Sequence, residues 1–132
     1  MKYRGARILL ALDALVFAAF GALYWVIPVE MAAKVGIVVP TTGAIVDVQG
    51  LYGGLELGFG LFLAYCARTA ERTRLGLVAG ALGLGGIAIS RLVAIAHFGM
   101  PDTSVAVLVG LDLVGAIVNA AFLRTTRSES IA

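Results

Sequence analysis

Long apolar runs separated by short polar breaks set the pattern of this chain. Four runs, at roughly 8–27, 44–67, 75–98 and 103–123, are each about as long as the 20 or so residues a helix needs to cross the hydrocarbon core of a bilayer. None shows the period-two alternation of a membrane β-strand. The pattern therefore predicts an all-α fold, an integral membrane bundle of four transmembrane helices. The breaks are short except between the first two runs. There Pro28 suits the first position of a helix, and Glu30 and Lys34 stand at i, i+4 spacing. With Val29, Met31, Val35 and Ile37 they predict a short interfacial helix in the first outer loop, closed by the turn Pro40-Thr41-Thr42-Gly43. Between the last two runs, Gly99-Met100-Pro101-Asp102 forms the link, with Asp102 or Thr103 placed to cap the fourth helix.

Composition agrees. The chain has 132 residues, 61% hydrophobic and only 14% charged, with a mean hydropathy of +1.00. Soluble domains run at about 45–50% apolar and about 25% charged, so an ordinary soluble enzyme, a disordered tail and a disulfide scaffold are excluded. The length fits one domain, spanning 1–132. A net charge of +2 does not imply nucleic acid, because the basic residues gather at the ends of apolar runs and form no basic face with readers. Cys66 is the single cysteine and has no intrachain partner.

The basic residues set the expected direction. With four spans, one side of the membrane receives Lys2, Arg4, Arg7, Arg68, Arg72, Arg74, Arg124 and Arg127, leaving only Lys34 and Arg91 of the ten elsewhere. The positive-inside rule then places both termini in the cytoplasm. A basic start before an apolar run also describes a signal peptide. This run, however, has the length of a full span, contains Asp13 and ends at Tyr24 and Trp25, an aromatic pair of the kind found at membrane interfaces, so a retained span is expected.

Charged groups inside the spans carry the candidate chemistry, because they are costly in hydrocarbon unless they face a bundle interior or a cavity. Counting helical rise from the expected outer ends, Arg91 lies about 10 Å deep, Asp112 about 13 Å and Glu56 about 18 Å. One arginine and two carboxylates thus meet in the outer-to-middle layer. Asp13 and Asn119 lie deeper, at about 21 and 24 Å, and are expected to pair with each other. Gln49, Tyr52, Glu56 and Gly60 fall on one face at helical spacing, as do Asp112, Gly115, Ala116 and Asn119. The candidate ligand-binding set is therefore Arg91, Glu56, Asp112, Tyr52 and Gln49. Gly50, Gly54 and Gly58, and separately Gly76 and Gly80, make small-xxx-small steps that permit close helix packing within the bundle or between copies. Metal, haem, nucleotide and serine-hydrolase patterns are missing, so no cofactor, metal or catalytic residue is assigned. His97 stands alone near the end of the third span.

The stretch Val48-Gln49-Gly50-Leu51-Tyr52-Gly53-Gly54-Leu55-Glu56-Leu57-Gly58-Phe59-Gly60-Leu61-Phe62 resembles an uncharacterised family of small bacterial four-helix membrane proteins, DoxX-like in general look. Ser90-Arg91-Leu92 matches that family's Arg step late in the third span, and Asp112 stands where the family more often has Glu. The resemblance covers residues 28–122 and brings no activity with it. Three roles follow from the residues. The leading one is a non-enzymatic protein holding a small or lipid-like molecule in an outer-half cavity, for transport or sensing. The second is an accessory subunit docked through glycine faces onto a larger membrane complex or onto copies of itself. The third is a small intramembrane isomerase moving protons with Glu56 and Asp112.

Overall fold

The computed structural model describes residues 3–126. Lys2 and Arg127 of the basic group lie outside that range. Helix α1 runs Arg4–Val26, α2 Pro28–Lys34, α3 Thr42–Ala67, α4 Ala70–Phe98 and α5 Thr103–Thr125. Among the described residues there is no strand, and α1, α3, α4 and α5 are each long and apolar enough to cross a membrane. Their lipid-facing surfaces carry large exposed side chains such as Leu15, Leu82, Val114 and Ile117. These features mark a membrane protein.

The expected runs and the helices agree except at the basic end. There α4 begins at Ala70, five residues before its apolar run, and carries Arg72 and Arg74 within its first turns. A helix satisfies its own backbone in water as well as in lipid, so it does not have to stop where the hydrocarbon stops. Arg72 folds back over the ring of Tyr65, 4.2 Å from its centroid. Pro28 opens α2 as expected, while Glu30 and Lys34 share that helix without forming an ion pair. Asp102 caps α5 by accepting from the Val105 amide at 3.1 Å, and Thr41 caps α3 through the Ala44 amide at 3.1 Å.

Lipid tails are as apolar as leucine, so these helices gain from close van der Waals packing between small residues. Helices α1 and α3 cross backbone to backbone. A methyl group on Gly21 would lie 2.5 Å from the Leu57 nitrogen, and one on Gly60 would lie 2.8 Å from the Ala18 nitrogen. Helix α4 pairs with α5, where Gly115 receives the Leu84 side chain. These two hairpins meet mainly through their basic halves. Gly76 seats Leu10 and Cys66, Gly83 seats Phe59, and Gly5 seats Phe122. Ala6, Leu10, Ala14, Leu63, Cys66 and Leu77 form the core of this joint. Within the first hairpin, Arg7 ties α1 to the end of α3 by donating to the Ala67 and Arg68 carbonyls at 2.7 and 2.8 Å.

At the opposite end each hairpin is finished separately. Helix α2 folds back on the α1–α3 pair, where Tyr24, Met31, Ala32 and Val48 make a second small core. Beyond Ala88, no residue of α4 is fully buried. The Gly76–Gly80 step therefore packs inside the bundle, against Leu10, Cys66 and Asn119, whereas Gly50 and Gly58 face open space.

Candidate functional site

Helix α3 does not keep one winding. Between Gln49 and Leu55 it is π-helical, then it returns to α-helical form at Glu56. Gly50, Gly53 and Gly54 make this stretch weak as an α-helix, and wider turns of this kind recur at functional sites. Each residue there turns through a smaller angle, which breaks the single face expected for Gln49, Tyr52, Glu56 and Gly60. Gly60 instead lies on the α1 seam, against the backbone of Ala14 and Ala18. Gln49 turns to the end of α1, where its amide nitrogen donates to the Trp25 carbonyl at 2.7 Å. That bond satisfies a carbonyl left unpaired at a helix C-terminus.

Glu56 opens the α-helical part of the span and is partly buried. It makes no hydrogen bond or ion pair among the described residues, yet it lies within electrostatic range of Arg91 and Asp112. Across from it, the Arg91 guanidinium on α4 donates through Nη1 to Oδ2 of Asp112 on α5. Arg91 remains 34% exposed and Asp112 15%. Among the described residues, only one of the five guanidinium donors is engaged. The structure thus places Arg91, Asp112 and Glu56 in one neighbourhood, at a level where no residue of α4 beyond Ala88 is fully buried.

Tyr52 joins this group through a residue that the sequence pattern assigned to the interface. Tyr24 is not exposed at the end of α1; it is 5% exposed and stacks on Tyr52 with ring centroids 5.2 Å apart. Its phenol lies within electrostatic range of Glu56 and Arg91. The helical phase of α1 carries the signal for this burial, since Leu10, Ala14, Gly21 and Tyr24 recur on its inward face. Trp25, the other member of the pair, is exposed. His97 sits exposed in the last turn of α4 beside Phe98, away from the cluster.

In the basic half, Asn119 donates to Asp13 at 2.8 Å and to the Gly115 carbonyl at 2.9 Å. The Asn119 side chain is fully buried, and Gly80 makes room for it: a methyl there would lie 2.6 Å from the amide oxygen. This pair links α1 to α5 across both hairpins and completes itself, save for an amide oxygen without a hydrogen-bond partner.

A four-helix membrane bundle with an ion pair between its second hairpin's helices and an unpaired carboxyl facing it from the first is the class that fold and site define. The chain belongs to the family described as a domain of unknown function (DUF4345), whose pattern matches residues 5–123. No curated protein and no solved structure matches the chain.

Proposed function

We propose that this protein binds a small or lipid-like molecule in a cleft that opens between its two hairpins, at the end away from the arginine-rich termini, and serves transport or sensing rather than catalysis. The observation that carries this reading is the Arg91–Asp112 pair, held within apolar helices yet partly open, with Glu56 facing it unpaired. A pair built only to fix helix register would close on itself, as Asp13 and Asn119 nearly do. Here the guanidinium keeps free N–H groups and Glu56 keeps a free carboxyl. A carboxylate, phosphate or hydroxyl on the ligand accepts from Arg91, a ligand hydroxyl donates to Glu56, and the stacked rings of Tyr24 and Tyr52 supply an apolar wall. The same proposal sets both termini in the cytoplasm and the cleft in the outer leaflet of the cytoplasmic membrane, because the arginines gather at the closed end.

Arg91→Met combined with Asp112→Leu tests the reading. Replacing both members of an ion pair removes the desolvation penalty together with the attraction, so the fold is expected to keep its thermal midpoint. Native mass spectrometry after gentle extraction should show on the parent a bound species that is missing from the double variant. A parent that carries nothing, or a variant that keeps its passenger, refutes the proposal. Arg91→Leu alone should cost about 2–3 kcal/mol, below the 3–5 kcal/mol of fully buried pairs because the arginine is partly open.

The open space beside Gly50 and Gly58 favours a second reading, in which this face of α3 packs against another membrane chain or a second copy. Crosslinking from a cysteine at Gly58 reports on it directly.

A further inference from the structure

The α1–α3 seam carries two open grooves remote from the Arg91 cleft. One, of about 610 Å³, lies at the basic end, with Tyr3, Arg4, Arg7, Ala67 and Ala70 among its walls. The other, of about 500 Å³, runs on along the seam over Ala14, Ala18, Gly60 and Ala64, with Arg7 and Arg68 at one end. The two share Arg7, Ala11 and Ala67, so they form one trough with a charged mouth and an apolar stem.

Among the described residues the mouth is uncompensated. The Arg4 and Arg68 side chains make no hydrogen bond or ion pair with them, and none of their carboxylates lines either groove. Arg7 is fixed by two carbonyls, which hold its guanidinium at the seam without cancelling its charge. The stem is an open groove floored by alanine and glycine where α1 and α3 meet, while Leu15 and Leu61, 66% and 62% exposed, rise as its banks. From Arg7 to Ala18 the stem covers about 16 Å of helix. That is close to one leaflet, or half of a hydrocarbon core about 30 Å thick.

We propose that this trough seats one anionic phospholipid of the leaflet at the basic end, with its phosphate among Arg4, Arg7 and Arg68 and one acyl chain along the stem. Charge selects the headgroup, and the length and apolar walls select a lipid over a free anion. The site is separate from the Arg91 cleft, so either proposal can fail without the other.

The test is native mass spectrometry of the full chain, stripped of lipid and titrated with phosphatidylglycerol, with phosphatidylcholine of the same acyl chains, or with glycerophosphate. The expected result is one phosphatidylglycerol retained per chain, at least tenfold over phosphatidylcholine, and no competition from glycerophosphate at matched concentration. Arg4→Gln and Arg68→Gln, both at exposed positions, should each weaken retention roughly fivefold. Ala11→Phe, exposed where the two grooves join, should block the stem and abolish retention at an unchanged thermal midpoint. Equal retention of the two lipids overturns the headgroup assignment, and glycerophosphate competing as well as the lipid overturns the stem. If Ala11→Phe does not fold, the comparison of the two lipids on the unaltered chain still decides.

Discussion

The backbone crossing of α1 and α3 makes Gly21→Ala the most informative single change. The added methyl meets the Leu57 nitrogen at 2.5 Å, the Gly53 oxygen at 2.8 Å and the Leu57 Cα at 2.9 Å. All three are backbone atoms, so no side chain can rotate away. Restoring ordinary contact requires the helices to part by about 0.9 Å at this point. A gap of that size forfeits between a quarter and a half of the dispersion attraction of every atom pair it opens. Alanine gains up to about 1 kcal/mol over glycine in a helix interior, against overpacking costs of about 1–3 kcal/mol. With backbone on both sides the cost falls at the upper end of that range, for a net loss of about 2 kcal/mol. Gly58→Ala provides the matched control, since nothing lies within 4 Å of its methyl and only the helical gain applies. Thermal unfolding in detergent micelles, followed by helical circular dichroism, measures both. Gly21→Ala tolerated as well as Gly58→Ala refutes the crossing. Gly58→Ala as damaging as Gly21→Ala means that the Gly50–Gly58 face is covered by another chain.

Three further outcomes are expected. Gly80→Ala should displace Asn119 from Asp13, so its cost and that of Asn119→Ala, each about 2 kcal/mol, should fail to add by at least 0.5 kcal/mol in a double-mutant cycle; additivity would place the two residues apart. Asp102→Ala removes the cap on α5 and should cost about 1 kcal/mol, seen as faster amide exchange in the first turn from Thr103, with no change at Asn119. With Cys66 replaced by alanine, a cysteine at Glu71 should be shielded from an impermeant thiol reagent in intact cells and one at Lys34 should react; the reverse labelling inverts the proposed orientation.

Much of this fold was legible because membrane spans are specified by crude quantities. Run length gave four helices, and Pro28 and Asp102 marked helix starts through local chemistry that the structure repeats. Helical rise alone matched Arg91 to Asp112 and Asp13 to Asn119. What rise cannot supply is phase through an irregular helix. The π-helical stretch from Gln49 to Leu55 shifted Gln49 and Tyr52 in phase against Glu56 and Gly60, and Gln49 turned to Trp25. No residue in Gln49-Gly50-Leu51-Tyr52-Gly53-Gly54-Leu55 demands that winding; its glycines merely allow it, and the crossing at Gly53 and Gly21 selects it. Tyr24 was obscured for a related reason. An aromatic residue at a span end fits the interface on composition alone, whereas its burial follows the inward phase of α1 and is completed by Met31 and Ala32 of α2.

The uneven joining of the two hairpins divides the labour of the molecule. Stability is concentrated in one half, where leucine, alanine and cysteine close around Leu10 and Leu77. In the other half the buried cluster of Tyr24, Met31, Ala32 and Val48 belongs to the first hairpin alone, so moving the hairpins apart there leaves both cores untouched. Under the proposed function, a guest entering beside Arg91 would have little protein structure to displace, much as a clothes-peg opens at the jaw while its spring stays put. Substitutions at the open end should then change that half of the molecule without eroding the fold.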